Sequence, residues 1–244
     1  MKLPGNIMSL IIAIIVVIVI YLLYEYFTSK TANLTGLQSG KEQKVIKGST
    51  LPTSSGSANY AYSIWFYVNE WSYRMNESKV LLTRGTEAQS SDLMPIGNPR
   101  ITLAPYENNL KIDVATHAGG SSPQPSTADP CIIRNFPLQR WVNLIISLNG
   151  RTMDVYIDGK LVRTCVLPGV PMTDHATDIH VTPSGGFSGW TSNIQYFAHP
   201  LNPQEAYNIY KQGPGTSSLL GLFEKYKIKI AYLVDNQEKA SIQI

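Results

Sequence analysis

The sequence predicts an all-β, two-sheet sandwich with one short helix, carried behind an N-terminal transmembrane helix. Three observations predict it. Short β-branched or aromatic runs alternate with turn chemistry from residue 45 onward. Two turn dipeptides, Asn149-Gly150 and Asp158-Gly159, sit between runs whose apolar positions alternate in step with them. And 18 consecutive, mostly apolar residues run from Ile7 to Tyr24 in an otherwise polar chain.

Taken in order, the run bounded by Ile7 and Tyr24 is interrupted only by Ser9. As a helix it reaches about 27 Å, close to the hydrocarbon thickness of a bilayer. A cleaved signal peptide has a shorter apolar core and small residues at its end. Here Glu25-Tyr26-Phe27 follow, and Tyr21, Tyr24 and Tyr26 suit the interfacial aromatic belt of a retained helix. Lys30, Lys41 and Lys44 follow the run, against Lys2 and the α-amine before it, which favours a cytoplasmic carboxyl domain. The sequons Asn33-Leu34-Thr35 and Asn76-Glu77-Ser78 favour the opposite side.

Residues 1–27 are therefore read as anchor, 28–44 as flexible tether, 45–215 as the sandwich, and 216–244 as a C-terminal hairpin packing on it. The tether assignment rests on its few large apolar side chains, Leu34 and Leu37. Within the sandwich, 60–68 and 79–83 read as strands, and 100–104 with 110–115 as a hairpin. The Gly-, Pro- and Ser-rich stretch 117–130 reads as a surface loop.

The meander 141–166 is the clearest part. With both dipeptides as two-residue turns, Ile146 pairs with Met153, Leu144 with Val155, Val142 with Ile157, and Val155 with Val162. All are apolar, so the turns and the period-2 pattern place one core face. The opposite face carries Trp141, Ile145, Tyr156, Leu161 and Cys165, too apolar to be fully wet, so another element is expected to cover part of it. Residues 190–197 read as a strand. Asn202 then caps a helix with Pro203 at its first position and Glu205 completing a capping box, ending near Gly213-Pro214. Residues 226–234 and 239–244 read as two strands around Asp235-Asn236.

Charge excludes one class of partner. The chain has 20 basic and 17 acidic residues, a net charge of +3 with no basic run, so no nucleic-acid partner is expected.

The segment Trp141 to Ser147, then Asn149-Gly150, then Asp154-Val155-Tyr156-Ile157-Asp158-Gly159, resembles the laminin-G-like or concanavalin A-like pattern. Gly185-Gly186-Phe187-Ser188-Gly189-Trp190 and the following strand and helix resemble the family's closing strand. Asn143 stands where many members have His. The resemblance covers about residues 45–215 and implies a jelly-roll fold. More narrowly, Leu51-Pro52-Thr53-Ser54-Ser55, the strand Ser63 to Val68, and a Cys on either side of the meander are similar to membrane-anchored members encoded by large DNA viruses of algae and protists.

The family includes glycoside hydrolases, which need two carboxyls about 5 Å apart for retention. No Glu-x-Asp-x-Glu strand occurs here; Asp113, Asp154 and Asp158 stand alone, and no Gly-x-Ser-x-Gly elbow is present. His117, His175, His180 and His199 lack metal-ligand spacing, so no metal or cofactor is expected. Trp71, Tyr73 and Trp190 are the candidates for glycan stacking, or for capping the sandwich and meeting protein partners. Cys131 and Cys165, 34 positions apart, form either one bridge or two buried thiols.

The expected function is that of a non-enzymatic, single-pass membrane module with lipid and protein partners. The resemblance implies a virion structural protein linking an inner membrane to capsid shell proteins. The second expectation is a glycan-binding attachment protein.

Overall fold

The computed structural model describes residues 16–17, 20–21, 31–52, 59–85, 98–117, 130–172, 177–215, 229–234 and 237–243. In chain order the strands are β1 (Thr31–Thr35), β2 (Gln38–Ser39), β3 (Lys44–Ile46), β4 (Tyr60–Glu70), β5 (Lys79–Arg84) and β6 (Arg100–Leu103). They continue as β7 (Leu110–Asp113), β8 (Thr116–His117), β9 (Cys131–Ile133), β10 (Trp141–Asn149), β11 (Thr152–Ile157) and β12 (Lys160–Val166). Then come β13 (Val170–Pro171), β14 (Ile179–Val181), β15 (Ser188–Phe197), helix α1 (Pro203–Gln212), β16 (Lys229–Val234) and β17 (Gln237–Gln243).

One sheet has the order β1-β15-β4-β10-β11-β12, with β2 also on β15; the other is β3-β14-β5-β6-β7-β9. All pairings in both are antiparallel. The core lies between them. Ile64, Phe66, Leu144, Ile146 and Val155 from the first sheet meet Leu82, Ile101, Leu103, Ile112 and Val181 from the second. The two-sheet jelly-roll class follows from the alternation seen in the sequence.

The meander keeps its core face, but its register differs. The first turn is Gly150-Arg151, with Asn149 opposite Thr152, so Ile146 pairs with Val155 and Leu144 with Ile157. Gly150 has φ +59°, and its N–H donates to Asn59 Oδ1 at 2.8 Å. The slip is by two residues, which leaves every side chain on its expected face. The second turn is Asp158-Gly159 as expected, both at positive φ (50° and 71°). Beyond it a bulge at Val162 puts Val155 opposite Arg163 instead. That extra residue reverses the outer half of β12, so Cys165 packs against the core rather than on the outer face.

The cover for the outer face is α1. Leu201, Ala206 and Ile209 pack with Ile145, Tyr156, Ala61 and Phe197 in a second apolar cluster. The helix starts where the sequence places it, with Asn202 accepting from the Glu205 N–H and the Glu205 carboxylate accepting from the Asn202 N–H.

Of the stretch 28–44 expected as tether, residues 31–35 and 38–39 are strand, and Lys44 begins β3. Thr31 pairs with Phe197 and Ala32 with Tyr196, and the Gln195 amide donates to Asn33 Oδ1 at 2.8 Å. Leu34 packs on the core and Thr35 is buried. Its low local apolarity is outweighed by an open strand edge on β15, a tertiary feature that no local window holds.

The expected membrane span lies outside the described residues except for Val16, Val17, Ile20 and Tyr21, which are helical and exposed. Among the described residues no helix is long and apolar enough to cross a membrane. The expected loop 117–130 also lies outside them, apart from its two ends. The tail forms the antiparallel pair β16–β17.

Candidate functional site

The antiparallel order brings the end of β4 together with the starts of β10 and β15. Tyr67 on β4 is flanked by Trp141 of β10 on one side and Trp190 of β15 on the other. Phe66 and Val68 point into the core, so Tyr67 and both its partners project from the outer face. The three rings form a row across adjacent strands about 10 Å long. Tyr67 and Trp141 have ring centroids 5.8 Å apart at 60°, and Trp190 is 48% exposed.

Polar groups border this row. Ser39 stands opposite Trp190, Asn69 is exposed one pleat beyond Tyr67, and Arg140 beside Trp141 is ion-paired to Asp158. Asp158 also accepts from the Asn143 N–H at 3.0 Å, fixing the start of β10 to the turn. Below the row, Trp65 stacks on Tyr210 at 5.7 Å and 17°, so α1 closes the aromatic strip from that side. Asn143 is buried and donates to Ser63 Oγ at 3.1 Å, a strand-to-strand tie.

The three aromatics singled out from sequence all lie at this end of the sandwich, but they do different work. Trp71 is partly buried, tilted on Phe136 at 5.9 Å, with Lys79 Nζ 4.7 Å from its ring centroid. These contacts pack it against the core. Burial pushes the Lys79 ammonium below its ordinary pKa. Tyr73 donates to the Gly185 carbonyl at 3.1 Å and lies under Lys41 Nζ at 4.7 Å. With Arg74, which donates to the Ser184 carbonyl and pairs with Glu77, it pins one loop to another. Of the three, Trp190 is the most exposed. Tyr67 and Trp141 were not among the candidates, because their alignment with Trp190 depends on which strands pair.

Cys131 on β9 and Cys165 on β12 are joined by a disulfide with Cα atoms 6.1 Å apart. It ties together the last strands of the two sheets on one side of the sandwich. Arg163 Nη1 donates to the Ile132 carbonyl at 2.8 Å beside it.

The isolated strand acids are engaged singly. Asp113 lies 3.6 Å from Lys111, and burial nevertheless holds its pKa above the usual value. Asp154 accepts from Thr164 Oγ1 at 2.6 Å. At the opposite end, Tyr62 meets Arg84 at 3.4 Å and Tyr60 donates to Asn98 at 2.9 Å. Burial pushes both hydroxyls up, Tyr60 donating to Asn98 and Tyr62 accepting from Arg84. Among the described residues no three His, Cys, Asp or Glu side chains gather as a metal site.

Residues 40–206 match the family model of the concanavalin A-like lectin/glucanases superfamily, and the chain belongs to that superfamily. No curated protein matches the sequence. Among solved structures it resembles the receptor binding domain of botulinum neurotoxin C/D mosaic serotype, at 11% identity and TM-score 0.52, over 76% of this chain and 46% of that one. The receptor binding domain of botulinum neurotoxin D matches at 14% identity and TM-score 0.50, over 75% and 44%. This chain thus spans under half the length of those structures, and the likeness is one of fold.

Proposed function

We propose that the chain is a non-enzymatic, membrane-anchored binding module that takes carbohydrate on the row Trp190–Tyr67–Trp141. The observation that carries this reading is the aromatic row itself, held on three rigid strands and bordered by Ser39, Asn69 and Arg140. A sugar ring offers an apolar C–H face and a rim of hydroxyls. It needs an aromatic surface with polar groups beside it. The engagement of Asp113, Asp154 and Asp158 in separate contacts supports binding without hydrolysis.

In this reading the apolar run 7–24 is the anchor, and its described residues Val16, Val17, Ile20 and Tyr21 are helical and exposed, as lipid-facing side chains would be. The disulfide supports an oxidising location for the sandwich.

The second reading is a virion protein whose domain joins an inner membrane to capsid shell proteins. It is favoured by the anchor and by the same ring types, because Tyr and Trp serve protein interfaces equally well. One experiment separates the two. The full chain in lipid nanodiscs is applied to immobilised neutral, sulfated and sialylated oligosaccharides. Retention on a sugar, lost in Trp190→Ala, supports the first reading. No retention, with crosslinks from exposed Lys160 and Lys211 to shell proteins in intact particles, supports the second. Lys79 is buried and unsuited to crosslinking.

A further inference from the structure

We infer that the sandwich stands end-on against its membrane on a link of only six residues, its Thr31–Phe197 end facing the lipid headgroups and the aromatic row facing away. This rests on the reading of residues 7–24 as a membrane span.

The distance available to the chain is short. Strand β1 begins at Thr31, leaving six residues after Tyr24. Even fully extended, the path from Tyr24 to Thr31 reaches at most about 25 Å. A 17-residue tether, as the sequence predicts, would let the domain tumble; this linkage confines it.

The attachment is also made to the sheet rather than to a loop. Strand β1 is paired to β15 at Thr31, Ala32, Asn33 and Thr35. The Gln195–Asn33 bond, Leu34 packing on the core and the buried Thr35 reinforce it.

The register gives the polarity. Thr31 lies beside Phe197, which lies beside Ala61, which lies beside Ser147. The anchor thus enters at the end where β15 finishes. Trp190 is seven residues back along β15, about 23 Å from that entry. At the entry end the described exposed side chains include Asn149, Arg151, Asn202 and Gln204, with Lys47 paired to Asp178. Glu205 at the same end is engaged in its capping box. Among the described residues this surface is polar and cationic, compatible with phospholipid headgroups, and its carboxylates Glu205 and Asp178 are both engaged.

The test uses the full chain in liposomes, with the disulfide oxidised so that one added thiol is labelled. A fluorophore is placed at Asn149→Cys or at Asn69→Cys, both exposed and about 30 Å apart along the strands. Energy transfer to a headgroup-labelled acceptor lipid is measured. The expected result is several-fold greater transfer from position 149. Equal transfer from both positions, or greater transfer from 69, overturns the end-on arrangement while leaving the membrane span standing. Release of the protein by alkaline carbonate, with no transfer from either position, overturns the span itself and the inference with it.

Discussion

Trp190 and Tyr67 are directly opposed across the pairing of β15 with β4, and Trp141 is opposed to the same Tyr67 on its other side. One tyrosine therefore sets two tryptophans into a single row. Because all three stand on interior strands of the sheet, the row is organised before any ligand arrives. Less ordering is then required on binding than a loop site demands.

Replacement of the row and replacement of Trp71 should separate binding from stability. Trp190→Ala is expected to weaken retention on a bound oligosaccharide about tenfold, with stability changed by no more than about 0.5 kcal/mol. Trp71→Ala, which empties the space against Phe136 and Lys79, is expected to cost about 3–4 kcal/mol in denaturant unfolding.

Reduction of the Cys131–Cys165 bridge frees a 34-residue separation in the unfolded chain and unties the two sheet edges. Cys131→Ala with Cys165→Ala should lower stability by about 3–4 kcal/mol on the chain-entropy account. Urea midpoints with and without reductant check this. Reductant should shift the native protein and leave the double variant unmoved.

The cover over Ile145 and Tyr156 depends on how α1 begins. Asn202→Ala removes the acceptor for the Glu205 N–H and should cost about 1 kcal/mol, with Asn202→Ser recovering most of it. Ile209→Ala, deeper in the same cluster, should cost about 2–4 kcal/mol. Thermal unfolding of the three variants checks the order.

Asp113 supplies a pH dependence. Its folded pKa is raised by burial against the partial relief of Lys111. A raised carboxyl pKa means the ionised form is disfavoured in the fold, so the penalty is present at neutral pH. It fades as pH falls through the folded and then the unfolded value. Asp113→Asn should therefore be the more stable form at pH 7, and the difference should vanish below about pH 3.5. Melting temperatures across pH 3 to 7 show this directly.

Much of the fold was legible from local chemistry. The helix start at Asn202-Pro203 and the Asp158-Gly159 turn are written in residues that touch each other. The alternation in 141–157 also survived a register slip, because a shift of two leaves faces unchanged. What was hidden depends on distant pairing. Residues 31–35 and 38–39, inside the stretch that looks like a tether, become strand only when the β15 edge is present to receive them. Cys165 changes face only because Val162 is bulged. The candidate site followed the same division. Trp190 could be singled out as an aromatic beside a glycine, but Tyr67 and Trp141 become its neighbours only through the strand order. Trp71 and Tyr73 carry the same chemistry in sequence and spend it on Phe136, Lys79, Lys41 and Gly185.

The most direct test of the binding reading is retention of the full chain, held in nanodiscs, on immobilised oligosaccharides, run in parallel for the native protein, Trp190→Ala and Trp71→Phe. The account predicts that the native protein and Trp71→Phe are retained on the same sugars and that Trp190→Ala is not. Retention of Trp190→Ala equal to the native protein, or no retention of the native protein on any sugar, would contradict it.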